Sequence, residues 1–90
     1  MKHEDVSLLS AMVSPEQIEQ YIKSGLQCDR VEVTGDGEHF EAVVVSAQFR
    51  GKTRVQRHQL VYRALSERMR SEVHALSMRT LTPEEWRAGG

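Results

Sequence analysis

Phe49-Arg-Gly-Lys-Thr-Arg-Val-Gln-Arg-His-Gln-Leu-Val-Tyr-Arg-Ala-Leu65, followed eight residues later by Val73-His74-Ala75-Leu76, is the stretch that decides the fold of this chain. His58, Val61, Tyr62, Leu65 and Met69 fall at offsets of 0, 3, 4, 7 and 11, which puts all five on one side of a helix. Arg63 and Arg70 fall nearly opposite, toward solvent. From Val73 to Leu81 the pattern returns to alternation, with His74, Leu76 and Met78 on one face of a strand. The same stretch carries two competing chemistries: a basic helix suggests a nucleic-acid surface, and a histidine placed at a strand start suggests a metal or cluster ligand.

Upstream, Arg30 to Thr34 alternates polar and apolar residues through Val31 and Val33, and Phe40 to Ser46 is rich in valine, so both read as strands. Gly35-Asp36-Gly37-Glu38 supplies turn chemistry between them, which predicts an antiparallel hairpin with His39 close to its tip. The helix after Phe49 is then a crossover, so the second and third strands can lie parallel. Ser14-Pro15-Glu16-Gln17 has the form of a capping box, and Ile18, Tyr21 and Ile22 continue it as a helix ending near Gly25. Leu8, Leu9, Met12 and Val13 add a helical turn within residues 5–13. Thr82-Pro83-Glu84-Glu85 is a second capping box, opening a short helix that Trp86 anchors to the body. The predicted class is α+β, in the order α-β-β-α-β-α, with a three-stranded mixed sheet and helices on one face. Residues 1–13 form an extension, 14–87 the domain and 88–90 a tail.

Ninety residues, 39% apolar and 28% charged, describe one small globular domain with a thin core and little volume for a deep catalytic pocket. The net charge of −1 hides segregation: residues 50–70 hold seven of the twelve Lys and Arg and a single acid, Glu67. One face is therefore expected to be basic on a molecule that is nearly neutral. Cys28 is the single cysteine, so neither an intrachain disulfide nor a Cys-rich metal site can be assembled by this chain alone. A reducing, cytoplasmic setting is expected. There is no signal-peptide pattern and no segment of transmembrane length, so no membrane role is expected. No glycine-rich nucleotide loop, nucleophile motif or forced carboxylate pair is present, and no enzymatic activity is expected.

In that order, the residues resemble the BolA family. The pieces that carry the resemblance are Gly37-Glu38-His39-Phe40, Val43-Val44-Val45-Ser46, Phe49-Arg50-Gly51, Val55-Gln56-Arg57-His58-Gln59-Leu60-Val61-Tyr62, Val73-His74-Ala75-Leu76 and Thr82-Pro83-Glu84-Glu85-Trp86, spread from about Ser14 to Trp86. The short loop from Gly35 to Glu38 is more similar to the acid-stress IbaG branch, whereas Arg57-His58 is more typical of the founding branch. The subtype stays open.

The resemblance implies a fold similar to class II KH domains and two non-enzymatic roles. One is partnership with a monothiol glutaredoxin and glutathione around a bridging [2Fe–2S] cluster, the chain alone being a monomer or weak homodimer. The other is DNA binding as a transcriptional regulator in stress response. His74 matches the family histidine that ligates the shared cluster, and a neutral imidazole is a suitable iron ligand. The alternative for His74 is a histidine capping the strand edge or tucked under the C-terminal helix. His39 adjoins the loop where the family places its variable second ligand, and is equally readable as an exposed strand-start residue. Cys28 lies at the other end of the first strand and reads as a small buried or half-buried residue. His58 and Tyr62 read as core-facing. Arg50, Lys52, Arg54, Arg57 and Arg63 form the candidate partner or nucleic-acid surface. The KH phosphate clamp, Gly-X-X-Gly, is reduced here to Arg50-Gly51-Lys52-Thr53-Arg54 with one glycine, so docking of an acidic partner ranks above DNA.

Overall fold

Ser14 starts the first helix as its sequence predicts. Its Oγ accepts the Gln17 N–H at 3.2 Å while Gln17 Oε1 accepts the Ser14 N–H at 3.0 Å, and Pro15 takes the first helical position, where no N–H is needed. The computed structural model describes residues 14–36, 38–65 and 75–89. Its elements are α1 (Pro15–Gly25), β1 (Arg30–Gly35), β2 (Phe40–Val45), a single 3₁₀ turn (Ala47–Phe49), α2 (Arg54–Leu65), β3 (Leu76–Leu81) and α3 (Pro83–Arg87). The helical turn expected within residues 5–13, and Met69, Val73 and His74 of the expected helix and strand, lie outside the described residues.

The sheet order is β1-β2-β3, with β1 antiparallel to β2 and β3 parallel to β2. This is the mixed sheet that a hairpin followed by a helical crossover requires. The register puts Val31, Val33, Phe40, Ala42, Val44, Leu76 and Met78 on one face. That face meets α1 and α2 and, with Ile18, Ile22, Leu26, Phe49, Val61 and Leu65, makes a single apolar core. The opposite face carries the exposed Glu32, Thr34, Glu41, Ser77 and Arg79.

Two details depart from the periodicity. Tyr62, placed on the apolar stripe, is 42% exposed, and His58 is half-buried. The buried side of α2 is instead centred on Val61 and Leu65 with Leu60 and Ala64 beside them, because that side faces α1. Close helix packing also explains Gly25. A Cβ there would lie 2.7 Å from both Cα and Cβ of Ala64, so the glycine permits the two helices to touch. It is not a left-handed helix stop; among the described residues only Gly51 and Gly89 have positive φ.

Trp86 anchors α3 by stacking rather than burial. It is 37% exposed, and the Arg30 guanidinium lies 4.9 Å from its ring centroid. Thr82 caps α3 reciprocally with Glu85, whose carboxylate accepts the Thr82 N–H at 2.8 Å while Thr82 Oγ1 accepts the Glu85 N–H at 3.1 Å.

Candidate functional site

The β-hairpin turn determines where His39 stands. Asp36 Oδ1 accepts the N–H groups of Glu38 at 2.9 Å and His39 at 3.0 Å, and the Asp36 N–H donates to the His39 carbonyl at 3.2 Å. Those two amides hold the Asp36 carboxyl below its ordinary range. The His39 backbone is thereby pinned while the residue remains exposed. The first rung of the parallel ladder pairs Phe40 with Leu76, so His39 and Ala75 stand one residue ahead of neighbouring strands at the same end of the sheet. His74 lies outside the described residues; in the chain it directly precedes Ala75.

Cys28 is at the opposite end of β1, where the Asp29 N–H donates to the Val45 carbonyl at 2.8 Å. Its Sγ donates to the Leu26 carbonyl at 3.2 Å, and burial, reinforced by Asp29, pushes the thiol up to about 11. At neutral pH it is a protonated, half-buried thiol, as expected for a packing residue and unlike a metal-binding thiolate. Among the described residues no three His, Cys, Asp or Glu converge to hold a metal ion. A group bound at the His39 end would therefore need donors from the undescribed residues or from a partner.

The basic run separates into two kinds of residue. Arg57 is only 15% exposed at its side chain: Nε donates to the Lys52 carbonyl at 3.0 Å, and Nη1 donates to the Thr80 carbonyl at 3.1 Å and to Glu85 Oε1 at 2.8 Å. Its guanidinium also lies 6.0 Å from the Phe49 ring centroid. Arg50 forks onto Glu84, with Nε donating to Oε1 at 3.0 Å and Nη2 to Oε2. That fork holds the Glu84 carboxyl down to about 2, and the Arg57 hydrogen bond lowers Glu85 in the same direction. Two members of the candidate surface thus tie the start of α2 and the turn before it to α3. Lys52, Arg54 and Arg63 are exposed and have no ion-pair partner among the described residues. The acids were readable in the sequence as helix-start residues, but their pairing spans 34 and 28 positions and leaves no local signal.

The turn that stands in place of a phosphate clamp is tight. Gly51 has φ of 74°, the left-handed region that glycine enters freely, and the Lys52 N–H donates to the Phe49 carbonyl at 3.1 Å. Thr53 then caps α2, its Oγ1 accepting the Gln56 N–H at 3.2 Å while its own N–H donates to Gln56 Oε1 at 2.9 Å. Between this helix start and β3 runs an open groove of about 370 Å³, whose walls include Lys52, Arg54, His58, Met78, Arg79 and Leu81. His58 meets Tyr62 edge to face, and burial together with the Arg54 charge lowers its pKa from the ordinary 6.5, favouring the neutral ring.

With the geometry in view, comparisons with known proteins are consistent. A family model described as "BolA-like protein" matches residues 9–85. The chain is similar to the "DNA-binding transcriptional regulator BolA" of Haemophilus influenzae, at 46% identity over 54 residues, covering 60% of this chain and 52% of that protein. It thus spans about half the length of that relative. It is also similar to the "Acid stress protein IbaG" of Escherichia coli K12, at 37% identity over 71 residues, covering 78% of this chain and 84% of the relative. Among solved structures, a bolA protein homologue from Coxiella burnetii superposes with a TM-score of 0.76 at 49% identity, covering 84% of this chain and 99% of that one.

Proposed function

Because the chain belongs to the BolA family, we propose that it is a non-enzymatic partner of a monothiol glutaredoxin, sharing with it and with glutathione a bridging [2Fe–2S] cluster in iron–sulfur trafficking or iron and stress sensing. The observation that supports this reading is the parallel register. It sets the exposed His39 and the residue that follows His74 at one end of the sheet, on adjacent strands about 4.8 Å apart. An exposed imidazole at that end of the sheet suits a cluster whose remaining ligands come from elsewhere in the chain and from another molecule. Such a cluster, when bound, would supply an iron centre whose imidazole ligation makes the site less anionic and its potential higher than with thiolates. His74 and His39 would be this chain's donors. Cys28, protonated and at the far end of β1, has no part in it. Lys52, Arg54 and Arg63 provide cations for docking an acidic partner surface. The compartment on this reading is the reducing cytoplasm.

The test mixes the chain with cluster-loaded glutaredoxin and follows visible absorption and circular dichroism. His74→Ala is expected to change the heterocomplex spectrum, and His39→Ala to change it only if His39 is the second ligand. An unaltered spectrum for His74→Ala defeats the ligand assignment. Binding of apo-glutaredoxin retained by that variant separates docking from ligation.

A second reading, DNA binding, is favoured by the name of the Haemophilus influenzae relative, a DNA-binding transcriptional regulator, and by the three exposed cations. It requires affinity that falls steeply with salt. Arg54→Gln is the clean probe, because neutralising Arg57 also disconnects α2 from α3. Sequence-specific duplex binding that survives physiological salt would promote this reading over the first.

A further inference from the structure

The groove beside β3 lies at the other end of that strand from His39, about 13 Å further along, four residues at the rise of an extended chain. Its wall contains four consecutive residues, Met78 to Leu81. Successive side chains of a strand point to opposite faces, so a groove that touches all four runs along the lateral edge of β3. That edge is the outer one, since β3 pairs only with β2 among the described residues. The hydrogen bonds identify which groups it presents. The Leu81 carbonyl faces β2, accepting the Ser46 N–H at 3.0 Å, whereas the Thr80 carbonyl faces away and is taken by Arg57 at 3.1 Å. Alternation along a parallel ladder then turns both main-chain groups of Met78, and the N–H of Thr80, outward into the groove.

We infer that this edge receives a short, extended, acidic peptide segment of a partner protein as an added strand. Main-chain pairing to both groups of Met78 and to the Thr80 N–H supplies the alignment, Lys52 and Arg54 on the facing wall select carboxylates, and the side chains of Met78 on one face of the strand and Leu81 on the other border the groove with apolar surface. The charge distribution favours a peptide over a nucleic acid. The chain carries a net charge of −1, Glu85 sits in the groove wall, and Arg50 and Arg57 are already neutralised by Glu84 and Glu85. Such a patch suits one or two carboxylates better than a continuous run of phosphates. The inference goes beyond the cluster reading and uses neither iron nor His39 and His74.

The experiment uses the full chain alone and a fluorescein-labelled heptapeptide of alternating valine and glutamate, followed by anisotropy at physiological salt, with amide exchange read by NMR. Saturable binding is expected below about 1 mM, the weak end of specific recognition, with added protection at the Met78 and Thr80 amides. The Lys52→Glu, Arg54→Glu double variant, changed at exposed positions only, should bind about tenfold more weakly. A peptide N-methylated at alternate backbone nitrogens, which keeps its charge but loses the ladder, should lose about tenfold or more. Absence of saturation, or equal binding of the N-methylated peptide, overturns the strand-addition inference. A short oligothymidylate of equal charge binding more tightly than the peptide overturns it in favour of phosphate recognition.

Discussion

Replacing Arg57 by leucine separates an architectural cation from a surface one. Arg57 satisfies two main-chain carbonyls, Lys52 and Thr80, and one carboxylate, Glu85, from a side chain that is 15% exposed. Each carbonyl bond contributes about 1 kcal/mol net. The Glu85 pair adds little to this, since the carboxylate is 46% exposed and the attraction is screened by water. Leucine keeps the aliphatic contact of the stem but leaves both carbonyls without a partner, so a loss of about 2–3 kcal/mol is expected. For a domain of this size that lowers the melting temperature by about 10–20 °C. The control is Arg54→Leu on the same helix, an exposed residue whose replacement should change stability by no more than about 0.5 kcal/mol. Thermal and urea unfolding, followed by circular dichroism, compare the two. A double-mutant cycle with Glu85→Gln, which keeps the acceptor that caps Thr82, isolates the charged part. Equal melting temperatures for Arg57→Leu and Arg54→Leu would refute the assignment of Arg57 as a staple between α2, β3 and α3.

Acid should act on the second staple. The Arg50 fork lowers the Glu84 pKa from 4.5 to about 2, so its contribution to stability is complete above 4.5 and is lost as pH falls toward 2. The stability gap between the wild type and Arg50→Gln should therefore narrow across that window, and a gap that stays constant down to pH 2 would contradict it. Gly25→Ala tests the helix contact by its sign. An alanine in an open helix position stabilises, but here the added Cβ meets Ala64 at 2.7 Å, and a loss of about 1–3 kcal/mol is expected. A raised melting temperature for that variant would show that α1 and α2 are not in close contact at Gly25.

The local determinants were legible because they act over short chain distances. Both predicted capping boxes, at Ser14 and Thr82, close as written. The Asp36 turn forms the hairpin, and the α2 crossover makes β3 parallel. Cys28, expected to be buried or half-buried, is half-buried, and it lies at the expected far end of β1. A third capping box, at Thr53, closes within the residues Thr53-Arg54-Val55-Gln56, where its polar residues are interleaved with the basic run.

What periodicity could not supply was the rotation of α2 about its axis. A repeat of 3.6 residues allows either the Tyr62 side or the Ala64 side to face inward, and it is the contact with Gly25 of α1 that selects Ala64. The roles within the basic run had the same character. As sequence, Arg50, Lys52, Arg54, Arg57 and Arg63 are one charged segment. Folding brings Glu84 and Glu85 across 34 and 28 positions to neutralise two of them and leaves the others exposed. Sequence by itself therefore determined the order of elements, their caps and the type of sheet, since these depend on residues a few positions apart. Tertiary structure alone decided which cations are free to bind and which edge of β3 they face, because ion pairing and exposure are set by neighbours in space.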